Sequence, residues 1–247
     1  MNAYKTMLKT ELKLSLRGMD MIIFAIIMPF IVLIILGIIY GSKPAFEGAD
    51  YTFMEQSFGA IATIAICAGG VMGLPLVVSD YRSKHILKRF KVTPVKPSMI
   101  LLVQLSIYAL YALASLVVLF IAATLIFKVR MQGSIFEFLM GWLLVMASMF
   151  SIGMMVGGIA KNYKIAGVIA SVLYFPMLIF SGATLPYEVM PRGMQKIVDI
   201  LPLTQGIKIL KSATLGLPMD NIVLPIIIML VIAAICSFIA IKFFKWE

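Results

Sequence analysis

The sequence predicts an all-α integral membrane protein with six transmembrane helices, from its composition, the length of its apolar runs and the partition of charge between their connections. Of 247 residues, 62% are hydrophobic and 13% charged, with a mean hydropathy of +1.06. Soluble domains run about 45–50% apolar and about 25% charged, and a chain of this size cannot hide such an excess in one core. The composition excludes an ordinary soluble enzyme, and equally a disordered chain, which needs low hydrophobicity. Alternating strands of roughly ten residues are absent, which excludes a β-barrel.

Residues 1–20 read as an amphipathic helix. Lys5, Lys9, Lys13 and Arg17 recur at every fourth position beside an apolar stripe of Tyr4, Leu8, Leu12 and Leu16. Such a helix lies in the membrane interface with its lysines toward anionic headgroups; a plain topogenic basic tail is the alternative. No cleavable signal peptide is expected, because the first apolar run has span length rather than about 7–15 residues.

Six runs reach the roughly 20 residues that cross the hydrocarbon layer. They fall at about 21–40, 58–78, 99–127, 135–160, 165–182 and 221–241. Pro29, Pro75 and Pro176 lie in the first, second and fifth, where each removes a backbone donor and should kink its helix. Gly69, Gly70 and Gly73 in the second run, and Gly153 and Gly157 in the fourth, carry the small-residue spacing that permits close helix approach. Cys67 and Cys236 sit inside apolar runs without CxxC spacing and read as small buried hydrophobes.

The net charge of +10 sets the expected orientation. Residues 1–20, 79–98, 161–164 and 242–247 together hold fourteen basic and four acidic residues, whereas 41–57, 128–137 and 183–220 hold seven of each. Short basic loops stay cytoplasmic. Both termini and the 79–98 loop are therefore expected inside and the 183–220 segment outside, around a single transmembrane domain, residues 1–247. In the outer segment Met190, Met194, Ile197 and Val198 share one helical face, which fits an interfacial or re-entrant helix.

Chemistry on the chain itself has no support. No Asp, Glu, Lys, Arg or His lies deep within an expected span, and Glu55 and Glu137 sit near span ends. Ion-coupled carriers place such groups near the midplane, and nothing resembles the filter of a selective channel. With one histidine, His85, and no HExxH, GxSxG or paired carboxylates, no catalytic residue and no metal ligand is expected. Met28, Met72, Met146, Met149, Phe150, Met154 and Tyr174 are candidates to line a pathway, since methionine-rich surfaces repack around varied ligands; helix packing accounts for them equally well. The basic balance is assigned to topology, and no nucleic-acid partner is expected.

The most informative stretch runs from Asp80 to Pro97. Read as a helix, its Ile86, Leu87 and Phe90 form a small apolar face among six basic residues, and Pro94 and Pro97 end it. The segment resembles the cytoplasmic loop of type-2 ATP-binding-cassette (ABC) exporter permeases, which tends to read as an acidic residue, then Gly-Thr-Leu-x-Arg-Leu-x-x-Thr-Pro. Leu87, Arg89, Thr93 and Pro94 fit, Phe90 replaces a leucine, Asp80 supplies the acid, and His85 and Ile86 stand at the Gly-Thr positions. The outer stretch from Ser181 to Gly206 is similar to the same family's, with Leu201-Pro202-Leu203-Thr204 where Asn-Pro-Leu-Thr is commoner. The order and spacing of these features cover essentially the whole chain.

The resemblance implies a permease that dimerises, as a homodimer or with a sister permease, and is driven by two cytoplasmic ATPase subunits. The sequence carries no G-x-x-x-x-G-K-[ST] phosphate loop, so ATP and Mg²⁺ are expected on the partner ATPase. Asp80, Arg82, Ile86, Leu87, Lys88, Arg89, Phe90, Thr93 and Pro94 are then the expected ATPase-coupling residues. Arg82, Lys88 and Arg89 would offer charge to the partner's groove, and Ile86, Leu87 and Phe90 would fill its pocket. The expected activity is export of an amphipathic or hydrophobic compound (drug, antibiotic or lipid-like) across the plasma membrane. Export of a lipid-linked glycan and a non-transporting scaffold or sensor subunit are the alternatives.

Overall fold

The computed structural model describes residues 3–41, 43–86, 97–184, 187, 190–219 and 221–243. Among them it is helical, apart from one isolated bridge between Pro44 and Thr52. In chain order the helices are α1 (Ala3–Gly18), α2 (residues 20–40), α3 (Phe53–Ser83), α4 (Pro97–Phe127), α5 (Ile135–Ile159), α6 (Tyr163–Phe180), α7 (Arg192–Val198), α8 (Pro202–Leu215) and α9 (Val223–Phe243). Six of them, α2 to α6 and α9, are long and apolar enough to cross a membrane.

Local chemistry starts these helices. The Thr52 hydroxyl accepts from the Glu55 amide at 3.2 Å while Glu55 Oε2 accepts from the Thr52 amide at 2.8 Å, a reciprocal cap that opens α3. Ser134 caps α5 through the Glu137 amide at 3.3 Å, and Asn162 caps α6 through the Ile165 amide at 2.9 Å. The Thr52 cap places the start of the second span at Phe53 rather than near residue 58, and its other end at Ser83 rather than 78. Glu55 is consequently buried, with its second oxygen accepting from the Arg130 amide at 3.2 Å.

The prolines act through the turn that precedes them. Residues Ile23–Ile27 and Ala68–Gly73 are π-helical, ending two residues before Pro29 and Pro75. A proline ring collides with the carbonyl four residues back, and those carbonyls, on Ala25 and Val71, lie in the widened turns. Pro176 sits inside α6 without such a segment.

The centre of the bundle is α3 against α5, where Gly70 meets Gly153; Gly69 and Gly73, on another face of α3, make room for Tyr108 of α4. A Cβ on Gly153 would lie 1.8 Å from the Gly70 carbonyl oxygen, and one on Gly70 would lie 2.7 Å from Phe150 Cδ1. Backbone therefore meets backbone, the approach that small residues permit in membranes. Around this contact Leu33, Ile66, Cys67, Val71, Leu74 and Met149 are fully enclosed. The outward face is apolar too, with Ile38, Leu125 and Ile241 each at least three-quarters exposed, as a lipid-facing surface requires.

Two elements differ from the sequence expectation. In the 183–220 segment the enclosed helix is α8, of which eleven residues are buried; α7 is a single short helix with Ile197 exposed and only Met190 and Val198 of the expected face buried. Four glycines make room for α8: a Cβ on Gly59 or Gly141 would meet Leu210 or Ile209 at 2.8–2.9 Å, one on Gly133 would meet the Ala213 carbonyl oxygen at 2.2 Å, and one on Gly206 would meet Val145 at 2.5 Å. In α1 the basic stripe is exposed as expected, but the covered stripe is Tyr4, Met7, Leu8, Glu11, Leu12 and Ser15, with Leu16 exposed.

Candidate functional site

The C-terminal end of α3 is where the sequence motif begins, and two polar joints converge there. Tyr81 faces α1: its hydroxyl donates to Glu11 Oε2, to which Gln104 Nε2 of α4 also donates at 3.0 Å, and Gln104 reaches the Tyr81 oxygen at 3.2 Å. Three helices share one carboxylate. Tyr4 with Ser106 at 2.7 Å and Ser15 with Tyr111 at 3.0 Å fasten α1 on either side of it. These contacts run from Tyr4 to Ser15, about 16 Å of α1 at 1.5 Å per residue, yet reach only Gln104 to Tyr111 and not in chain order. Helix α1 therefore lies across α4 instead of running along it.

Arg82 faces the other way. It is 5% exposed, and its guanidinium donates to the carbonyls of Ala160 and, at 3.2 Å, Gly158. Those carbonyls belong to the C-terminal end of α5, where the last acceptors of a helix lack intrahelical donors and the helix dipole favours a cation. Adjacent residues thus tie the end of α3 to α1 and α4 on one side and to α5 on the other.

Helix α3 stops immediately beyond. The Lys84 amide bonds the Asp80 carbonyl at 2.9 Å, the His85 amide bonds the Arg82 carbonyl at 3.0 Å, and His85 has φ +55°. Asp80 through Phe90 is therefore not one helix as the sequence reading had it, because the left-handed residue breaks the rod. Asp80 pairs with Lys84 at 2.8 Å on the surface, and Ile86 is half-buried. Leu87, Lys88, Arg89, Phe90, Thr93 and Pro94 lie outside the described residues.

The candidate lining residues scatter. Met149, Phe150 and Met154 are packed in the α3–α5 core, Met72, Met146 and Tyr174 are half-buried, and Met28 faces outward on α2. None of the seven lines a cavity of about 420 Å³ at the N-terminal end of α3 beside α8. Sequence reasoning missed Glu11, Tyr81 and Gln104. Glu11 was the one detectable signal, an acid within a stripe otherwise reserved for covered residues, but its partners stand seventy or more positions away.

Residues 2–215 match the family model described as ABC-2 type transporter. Over 94 residues the chain is 32% identical to nodulation protein J of Neorhizobium galegae, covering 38% of this chain and 34% of that protein. Over 93 residues it is 31% identical to nodulation protein J of Rhizobium leguminosarum bv. viciae, with the same 38% and 34% coverage. The matched stretch thus spans about a third of the length of these curated relatives.

Proposed function

This chain belongs to the ABC-2 type transporter family and is a multi-pass protein of the plasma membrane, and from that premise we propose that it is the permease subunit of an ATP-driven exporter. Its cargo is an amphipathic or hydrophobic compound, and its energy comes from two separate ATPase chains that hold the ATP and Mg²⁺. A second permease copy completes the pathway. Both termini and the 79–98 loop face the cytoplasm, in keeping with the charge partition. Helix α1 lies in the cytoplasmic interface and α8 re-enters from the outer side.

The observation that carries the reading is the pair of joints at Tyr81 and Arg82. A loop that docks on a moving ATPase needs its displacement passed to several helices at once, and these two residues stand at the start of the 79–98 loop. Asp80, Ile86, Leu87, Lys88, Arg89, Phe90, Thr93 and Pro94 form the docking segment, and Arg82 transmits through α5. The burial of Arg82 supports this division of labour.

Co-purification from native cells tests it. The full chain is expected to bring down a P-loop ATPase of about 25–35 kDa, a domain-scale size. Lys88→Glu with Arg89→Glu is expected to release it. No ATPase under gentle extraction would favour the scaffold alternative, and an ATPase retained by the double variant would remove the docking role from the basic loop.

A further inference from the structure

The polar turn between α7 and α8 lies deep in the layer that the six spans define. Helix α8 enters the bundle from the end at which α5 begins, and its contacts descend α5 in order: Ala213 at Gly133, Ile209 and Leu210 at Gly141, and Gly206 at Val145. Val145 is ten residues beyond Ile135, where α5 starts. That is about 15 Å along the axis at 1.5 Å per residue, half of the roughly 30 Å of a hydrocarbon core.

Asp199 precedes α8 and so stands at its deep end. Its backbone carbonyl accepts from Gln205 Nε2, and its carboxylate holds the Lys208 ammonium at 2.6 Å. The Lys208 side chain leans toward the N-terminal, deeper end of α8, as helical side chains do. Asp199 and Lys208 therefore form an ion pair near half depth, although neither belongs to a span.

The pair is not enclosed, since the Lys208 and Asp199 side chains keep 31% and 38% of their surface. A charged side chain near the centre of a bilayer faces protein or water and not acyl chains. Irregular backbone at that depth obeys the same rule, and residues 199–201 join α7 to α8 outside either helix. Helix α8 supplies a way out. Lys208, Lys211 and Ser212 share one face at three- and four-residue spacing, are half-buried, and line the cavity of about 420 Å³ together with Tyr187. That face climbs from the pair toward the start of α5, where Leu217 and Pro218 complete the same wall. Apolar side chains separate the polar ones, so the wall offers passage rather than a fitted binding site.

We propose that this face of α8 is the wall of a water-filled vestibule that opens on the side of the 41–52 connection and descends to the Asp199–Lys208 pair. The pair sets the charge met there by a hydrophilic solute or by the polar head of a cargo. The 41–52 connection and the start of α5 share that side, because Glu55 accepts from the Arg130 amide. The vestibule rests on the re-entrant placement of α8, whichever side of the cell its mouth faces.

Charged methanethiosulfonates test it on the full chain in its native membrane, from outside in intact cells and from inside in inverted vesicles. Cys67 and Cys236 are buried, and the wild-type chain gives the background. Glu47→Cys, in the exposed connection, defines the side of the mouth, and Ile235→Cys, exposed at the middle of α9, defines silence in lipid. Lys208→Cys is expected to react from the Glu47 side. The trimethylammonium reagent should be at least roughly tenfold faster than the sulfonate, because the Asp199 carboxylate then stands about 5 Å away and acts oppositely on the two ions. Adding Asp199→Asn is expected to remove that preference. Ser212→Cys, one turn nearer the mouth with the pair intact, is expected to react from the same side and to shift toward the sulfonate when Asp199→Asn is added. A Lys208→Cys chain that fails to insert therefore leaves the test standing. Silence at positions 208 and 212 like that at 235, reaction only from the side opposite to position 47, or a charge preference indifferent to Asp199→Asn would each overturn the vestibule. If Glu47→Cys and Lys208→Cys both react only in inverted vesicles, the cytoplasmic placement of the termini falls and the vestibule stands.

Discussion

Replacing Arg82 by methionine separates two roles that the sequence left fused. If Arg82 offered its charge to an ATPase, Arg82→Met would weaken association and leave the permease as stable as before. In the structure the guanidinium donates to the Gly158 and Ala160 carbonyls. Two hydrogen bonds from an ionised donor are worth roughly 1.5–3 kcal/mol each. Removing a charge that had to be desolvated returns part of this, leaving a net loss of about 2–4 kcal/mol. For a chain of this length that corresponds to roughly 5–15 °C in Tm. Methionine keeps the apolar stem, so the loss reports the head group rather than a cavity. Arg82→Lys keeps the charge but not the fork and should fall between. The assay is thermal unfolding in detergent together with co-purification of the ATPase. Arg82→Met is expected to melt lower while its ATPase yield stays at the wild-type level. A variant that melts with wild type and loses its ATPase would refute the joint.

Three further outcomes follow from single contacts. Glu11→Gln keeps the shape of the α1 contact but weakens the bonds from Tyr81 and Gln104 by about 1–2 kcal/mol; ATP-driven transport should fall with ATPase association unchanged, and unaltered transport would free α1 from the coupling path. Gly153→Ala drives a Cβ into the Gly70 carbonyl, where only backbone can give, at about 3 kcal/mol or more; its monodisperse yield should collapse, whereas Gly193→Ala, with open space around it, should match wild type or better it. Tyr187 has its pKa raised by burial and by donation to Asp199, so its contribution is complete below the ordinary tyrosine value and is lost as pH rises through the raised one. The Tm deficit of Tyr187→Phe should therefore be constant from about pH 6 to 9 and shrink only above about 10.

The six spans were legible because bilayer thickness leaves little freedom: an apolar run of about 20 residues has one use. Their ends were less so. Thr52-Phe53-Met54-Glu55 spells a capping box that would have moved the second span five residues outward, but Glu55 read as an acid at a membrane edge. The glycine contact was half legible; the four-residue spacing marked Gly69 with Gly73 and Gly153 with Gly157 as places of close approach, but the first pair meets Tyr108 and it is Gly70 between them that meets Gly153. Helix α8 was hidden by its own polarity, since Thr204, Gln205, Lys208 and Lys211 suit an outer loop. What encloses it is room made by Gly59 and Gly141 on α3 and α5, which no local pattern in 202–215 carries. The two bonds that Arg82 makes to α5 were not legible, because their acceptors are main-chain carbonyls 76 and 78 positions away and carbonyls leave no trace in a sequence.

The joints and the glycine contact together constrain how the bundle can move. Helices α3 and α5 meet backbone to backbone at Gly70 and Gly153 and are tied again by Arg82 at their common end. With two attachments, one of them without side chains to reorient, the pair can neither slide nor splay without breaking one of them. A displacement of the 79–98 loop must then carry α3 and α5 as one body, with the change taken up elsewhere. The π-helical turn before Pro29 in α2 is suited to that, because its backbone pairing is already loosened. Spin labels at the exposed Ser83 and Lys161 should accordingly keep their separation within about 2 Å when ATP is added to the assembled complex, within the sub-ångström to few-ångström play of packed helices. Labels at Ser83 and Met28, across the α2 turn, should change by more. A large change in the first pair with none in the second would place the hinge inside the α3–α5 contact, and the two glycines would then be a pivot rather than a weld.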